Sequence, residues 1–109
     1  MLKDKVVFIT GAAQGIGYEV GEHFAENGAK VVLSDVNEEG VKKAAQDLAN
    51  KGYETLGIKC DVTNEAEIKA AIDQTIAHFG ELHILINNAG LQHVSPIEEF
   101  PTEKFELLI

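Results

Sequence analysis

Thr10-Gly11-Ala12-Ala13-Gln14-Gly15-Ile16-Gly17 follows directly on the apolar run Val6-Val7-Phe8-Ile9 and opens a segment whose Ile16, Val20 and Phe24 share one helical stripe. Three glycines between a strand and a helix have separate uses. Gly11 permits the tight turn out of the strand. Gly15 removes a side chain where backbone would approach a pyrophosphate, and Gly17 lets the helix pack close to the sheet. The helix N-terminus then offers unpaired N–H groups and a partial positive charge. Gly11, Gln14, Gly15, Ile16 and Gly17 are therefore the turn's candidate cofactor-binding residues. By itself such a turn is also a plain strand-to-helix connection, so its reading rests on what surrounds it.

Outward from the turn, apolar runs alternate with helical patterns. Val31-Val32-Leu33, Leu56-Gly57-Ile58 and the run 82–86 join Val6-Val7-Phe8-Ile9 as short strands, three of them continuous enough to be buried on both faces of a parallel sheet. Val41, Ala44, Ala45 and Leu48 fall at i, i+3, i+4 and i+7, and Ile68, Ile72, Ile76 and Phe79 form a similar stripe. Gly28, Gly52 and Gly80 stand where left-handed C-terminal caps belong, and Asn64 with Glu67 reads as a capping box. The pattern predicts β 5–10, α 15–27, β 30–34, α 38–50, β 54–59, α 64–79 and β 82–86, with a further amphipathic helix opening at Thr102. Alternating β and α gives an α/β fold, a Rossmann-type parallel sheet with helices on both faces.

Asp35 ends the second predicted strand, 24 positions after Gly11 and close to the ~20 at which a ribose-binding acid stands. A carboxylate there accepts hydrogen bonds from adenosine ribose hydroxyls and repels a 2′-phosphate. No Arg occurs anywhere in the chain and no Lys lies near Asp35, which favours NAD over NADP. The plainer reading of Asp35 is an exposed cap for the helix near Glu38. Asp61-Val62 ends the third strand and Asn87-Asn88-Ala89-Gly90 the fourth, where open α/β sheets bind ligands. Asp61 would accept from an adenine amine with Val62 against the ring, or would be a helix-entry acid. Asn88, Ala89 and Gly90 are small and polar enough for a ribose to come near the backbone, or they form an ordinary loop.

Composition narrows the partners. The 109 residues carry nine Lys against 18 acidic residues, a net charge of −9, with 45% hydrophobic and 25% charged residues. That is one globular domain rather than a disordered or fibrous chain. An acidic chain without Arg is a poor match for nucleic acid or an anionic membrane surface. No signal-peptide core or run of ~20 apolar residues is present, and the single Cys60 excludes an internal disulfide. The chain reads as a soluble cytoplasmic domain. His23, His78 and His83 read as surface or helix-terminal residues, with nothing pairing them as metal ligands, and His93 receives no role.

Thr10-Gly11-x3-Gly15-x-Gly17, Asp35, Asp61-Val62 and Asn87-Asn88-Ala89-Gly90, in this order and spacing, resemble the amino-terminal half of a short-chain dehydrogenase/reductase across essentially the whole chain. Residues 90–101 are most similar to D-3-hydroxybutyrate dehydrogenases, and the resemblance implies that Gln92 helps hold a substrate carboxylate. It also implies strand order 3-2-1-4, with 91–109 forming a substrate loop and the start of a terminal helix.

One departure is plain. The family uses an Asn, a Ser and a Tyr-x3-Lys for proton transfer and substrate orientation. Tyr18 and Tyr53 are followed four residues later by Glu22 and Gly57, so no Tyr-x3-Lys is present. The expectation is a truncated NAD-dependent dehydrogenase, inactive alone, whose bare apolar edge at 82–86 or terminal helix drives self-association. Alternatives are a non-catalytic dinucleotide-binding module and a self-associating half-fold. A flavodoxin-like reading is disfavoured, because it leaves Asp35 without a purpose.

Overall fold

The computed structural model describes residues 2–88 and the strand at 106–108. Its elements run β1 (Val6–Ile9), α1 (Gly15–Glu26), β2 (Lys30–Asp35), α2 (Glu38–Asn50), β3 (Thr55–Lys59), α3 (Glu65–Phe79), β4 (Ile84–Ile86) and β5 (Glu106–Leu108). All strand pairs are parallel, in the order β3-β2-β1-β4-β5. The predicted 3-2-1-4 sheet is therefore present, continued by β5.

β1 is buried at every position, and alternate side chains feed two cores. Val7, Ile9, Val31 and Leu33 meet Val41, Ala44, Ala45 and Leu48 of α2 on one face, together with Ala25 of α1. Val6, Phe8 and Val32 meet Ala71 and Ile72 of α3 on the other, with Leu82 and Leu85. Each fully buried Val, Leu or Phe contributes roughly 1.5–3 kcal/mol. The central strands therefore set the plane from which the turns project. Gly28, Gly52 and Gly80 all have positive φ, as left-handed helix ends require.

Both predicted apolar stripes pack on the sheet in part: Val20 and Phe24 of α1 and Ile68, Ile72 and Phe79 of α3 lie against the two cores, while Ile16 and Ile76 do not. In α1 the buried residues are Gly17, Gly21 and Ala25, while Ile16 is 71% exposed. A Cβ on Gly21 would lie 2.6 Å from Leu33 Cδ2, so glycine sets how closely α1 approaches the sheet. In α3 the buried residues are Ala71, Ile72 and Thr75, and Ile76 faces solvent. Thr75 can sit there because its hydroxyl donates to the Ala71 carbonyl at 2.9 Å.

The chain's last described segment corrects the sequence reading. Residues 106–108, expected within a terminal helix, form a strand with Ile84 opposite Glu106 and Ile86 opposite Leu108. A helix of one or two turns has little stability of its own, whereas β4 offers a row of backbone donors and acceptors to any extended segment. β4 is thus an interior strand among the described residues, and 82–86 is not the bare edge anticipated for self-association.

Candidate dinucleotide site

The site is assembled at the carboxyl ends of β1, β2 and β4. Ser34, the fully buried polar residue of β2, donates its hydroxyl to the Ile9 carbonyl at 3.0 Å, and its own carbonyl accepts from Ala12 N–H at 2.9 Å. Thr10 N–H donates to the Ile86 carbonyl, and Thr10 Oγ1 to Asn87 Oδ1, each at 3.0 Å. Asn88 Nδ2 donates to the Gly11 carbonyl at 3.1 Å. Side chains from three strand ends therefore hold the start of the glycine turn.

Within the turn the glycines differ. Gly11 and Gly15 have φ of +62° and +66°, the left-handed region that excludes most side chains. A Cβ at Gly15 would meet nothing within 4 Å, so internal packing does not require the space it leaves. A Cβ at Gly17 would lie 2.3 Å from the Gly11 carbonyl oxygen and 2.9 Å from Asn88 Nδ2. Gly17 thus packs against the turn and the end of β4, and Gly21 makes the closer approach to the sheet.

The helix N-termini divide in the same way. Asn37 caps α2 by accepting from Gly40 N–H, and Asn64 caps α3 by accepting from Glu67 N–H. Both helices also carry two acids in the first turn. α1 has neither: its N-cap Gln14 is extended and makes no side-chain cap bond, and no acid follows. Its first-turn amides lack intrahelical acceptors by construction, and Gln14, Gly15 and Ile16 are exposed. That donor set fits a phosphate group.

Asp35 stands beside it, half-buried at the end of β2. Its Oδ2 accepts from Ala13 N–H at 3.1 Å and its Oδ1 from Asn37 N–H at 3.0 Å. It is not the cap of α2, a role that belongs to Asn37. A carboxylate has about four acceptor positions, so capacity remains for hydroxyl donors.

Asp61 and Val62 lie just past β3, both half-buried. Asp61 Oδ1 accepts from both Thr63 Oγ1 (2.7 Å) and Thr63 N–H (2.9 Å). These bonds, with help from Lys59, hold its carboxyl below the usual carboxylate range. Glu67 completes the anticipated capping box differently: its carboxylate accepts from Asp61 N–H and Asn64 Nδ2, while Asn64 N–H goes to the Asp61 carbonyl. Burial pushes the Cys60 thiol up to about 11, so it is a neutral core group at ordinary pH.

Gly11, Gln14, Gly15, Ile16, Gly17, Asp35 and Asn88 are thus brought to one end of the sheet, with Asp61 and Val62 at its flank. Ala89, Gly90, Gln92 and His93 lie outside the described residues. The sequence analysis did not single out Ser34 or Gly21. Ser34 could have been found as a hydroxyl directly continuing the apolar run Val31-Val32-Leu33; Gly21 gives no hydropathy signal. His83 departs from the surface reading: its side chain is only 11% exposed, and its Nδ1 accepts from Val6 N–H at 2.9 Å. Among the described residues no group of three or more His, Cys, Asp or Glu could hold a metal, and no helix is long and apolar enough to cross a membrane.

A parallel sheet whose strand ends present a glycine turn, an uncapped helix and an acid defines a Rossmann-type nucleotide-binding domain. Residues 5–109 match the family model described as short chain dehydrogenase, and the chain belongs to that family. It is 47% identical over 108 residues to the uncharacterized oxidoreductase YxjF of Bacillus subtilis, covering 99% of this chain and 42% of that protein. It is 42% identical to a CLA biosynthesis dehydrogenase/reductase of Lactiplantibacillus plantarum, covering 98% of this chain and 37% of the other. Among solved structures, a hydroxysteroid dehydrogenase from Escherichia coli superposes with TM-score 0.78 at 39% identity, over 82% of this chain and 37% of that one. A short chain dehydrogenase from Mycobacterium smegmatis gives TM-score 0.79 at 40% identity, with 82% and 38% covered. The chain therefore spans about two fifths of the length of these relatives.

Proposed function

We propose that this chain supplies the adenosine and pyrophosphate half of an NAD site in a cytoplasmic oxidoreductase. The observation that carries the reading is the pairing of α1's uncapped N-terminus with Asp35 in a chain of this family. The first-turn amides and the open space at Gly15 receive the pyrophosphate. Asp35 accepts from the ribose hydroxyls and repels a 2′-phosphate, and the chain has no Arg to neutralise one; Lys59, opposite Asp35 in the β2–β3 register, is the cation at this position. Asp61 accepts from the adenine amine with Val62 against the ring, and 88–90 approach the second ribose.

For the whole protein we propose reversible oxidation of D-3-hydroxybutyrate to acetoacetate, with Gln92 on the substrate carboxylate. NAD supplies the acceptor for the hydride leaving the alcohol carbon. The resemblance assigns the accompanying proton transfer to a Tyr-x3-Lys that these 109 residues do not contain, so the chain alone binds without turning over. Self-association enters this proposal as exchange of the 106–108 strand between copies at β4, rather than as pairing of a bare edge.

An amide NMR titration with NAD, using NADP as control, tests the site. Shifts at Gly11, Gly15, Gly17 and Asp35 with NAD, and weaker ones with NADP, are expected. No response at the turn would overturn the binding reading, and an equal response to NADP would overturn the preference. A whole protein that oxidises another alcohol but not 3-hydroxybutyrate would overturn the substrate.

A further inference from the structure

We infer that Asp35 is a positioning residue for the glycine turn as well as a ribose acceptor, so that the ribose and phosphate subsites are coupled through the Ala13 amide. The inference rests on the dinucleotide reading above and deepens it.

Asp35 is the fixed partner in this contact. Its carbonyl accepts from Cys60 N–H at 2.9 Å, locking the end of β2 to β3, and its Oδ1 is held by Asn37 N–H at the start of α2. Its neighbour Ser34 is fully buried and tied to Ile9. The turn is the adjustable partner. Ala12 to Gln14 lie between two left-handed glycines, Gly11 and Gly15, and neither the N-cap nor a side chain of α1 secures the helix start. Two bonds to β2 pin this stretch: Ala12 N–H to the Ser34 carbonyl, and Ala13 N–H to Asp35 Oδ2. The second is the last of these bonds before the amides of Gln14, Gly15 and Ile16, so it sets their direction.

The two possible roles of Asp35 predict opposite signs for a ligand without ribose. A carboxylate near a phosphate is repulsive, so if Asp35 only contacts ribose, removing it should tighten binding of inorganic pyrophosphate. If it positions the turn, removing it should weaken that binding, because the donors are no longer held in place before the ligand arrives. Asp35→Asn separates the two effects: its single carboxamide oxygen can keep the Ala13 N–H bond, at the expense of the bond from Asn37 N–H, while the charge is gone.

The experiment is an amide NMR titration of the chain and both variants with inorganic pyrophosphate. We expect Asp35→Ala to weaken binding about threefold or more, and Asp35→Asn to bind as tightly as the unaltered chain or tighter. Asp35→Ala binding pyrophosphate as tightly as the unaltered chain would overturn the coupling, as would an unaltered chain that responds to NAD and not to pyrophosphate. No response to either ligand would instead remove the dinucleotide reading. Hydrogen exchange of the unaltered chain needs no variant to fold. The Ala13 amide should exchange about tenfold or more slowly than that of Gln14, and equal rates would also overturn the proposal.

Discussion

The two ends of the sheet use polar groups for opposite purposes. At the amino end, Asp4 N–H donates to the Gly28 carbonyl, Lys30 N–H to Lys5, and His83 N–H to Val6, while Val6 N–H returns to His83 Nδ1. Each of these bonds ties together backbone at the amino ends of β1, β2 and β4. At the carboxyl end, the Ser34, Asp35 and Asn88 side chains hold backbone around the glycine turn, the Thr10 and Asn87 side chains bond each other beside it, and the helix start beyond it has no side-chain cap. One end satisfies itself; the other is arranged around donors it does not use. A sheet can carry such a site because the strands, buried on both faces, supply the stability that the turn does not.

The sharpest way to break this contrast is at Gly17. An added Cβ would fall against backbone, at 2.3 Å from the Gly11 oxygen and 3.0 Å from Ala12 Cα, which cannot swing aside as a side chain would. Gly17→Ala should cost about 2–3 kcal/mol in chemical denaturation and abolish NAD-dependent shifts in the turn. Gly15 sharpens the same point, because a Cβ there meets nothing. Gly15→Ala should cost only the left-handed backbone strain, about 1–2 kcal/mol, while losing binding out of proportion to stability. Equal ratios of lost binding to lost stability in the two variants would erase the distinction between a packed glycine and a ligand-facing one.

These glycines also show what a sequence can convey. Their spacing after an apolar run locates the turn, and Gly52, Asn64 and Gly80 place the end of α2 and both ends of α3 to within a residue or two, because caps are local chemistry; Asn37, the cap of α2, went unread. Asp35 was legible as a strand-end acid. Its bonds to Ala13 and Asn37 were not, since they depend on how β2 and the turn meet in space. Gly21 on the inner face of α1 was hidden because glycine carries no hydropathy, and Thr75 of α3 because it becomes compatible with a core only once its hydroxyl finds Ala71. The 106–108 strand was misread for a related reason: its conformation is decided by β4, not by its own periodicity.

A smaller effect is expected from the amino end. His83→Ala removes the acceptor for Val6 N–H on a residue only 1% exposed, leaving a buried donor unsatisfied. The cost should be about 1–2 kcal/mol in denaturation. NAD affinity at the glycine turn should stay within about twofold, since His83 reaches that end only along the length of the buried strands. A larger loss of affinity would show that the two ends of the sheet are mechanically coupled.

The smallest effect concerns Asp61, which sits at the carboxyl end but spends one oxygen on Thr63. Hydrogen bonds from the Thr63 hydroxyl and amide, with the charge of Lys59, lower its folded-state pKa below the ~3.9 of an unfolded chain. Asp61 therefore stabilises the fold above the unfolded value, and that contribution is lost as pH falls through the folded value. Thr63→Val deletes the hydroxyl donor and keeps the amide, so the folded pKa should rise part of the way back, followed by the NMR shift of the Asp61 carboxyl carbon. If an adenine amine also donates to Asp61, NAD should lower the midpoint further, and more visibly in Thr63→Val, where that donor has less competition. A midpoint that ignores NAD in both chains would place Asp61 with the groups that serve the fold, leaving Asp35 as the carboxylate at this end that serves the ligand.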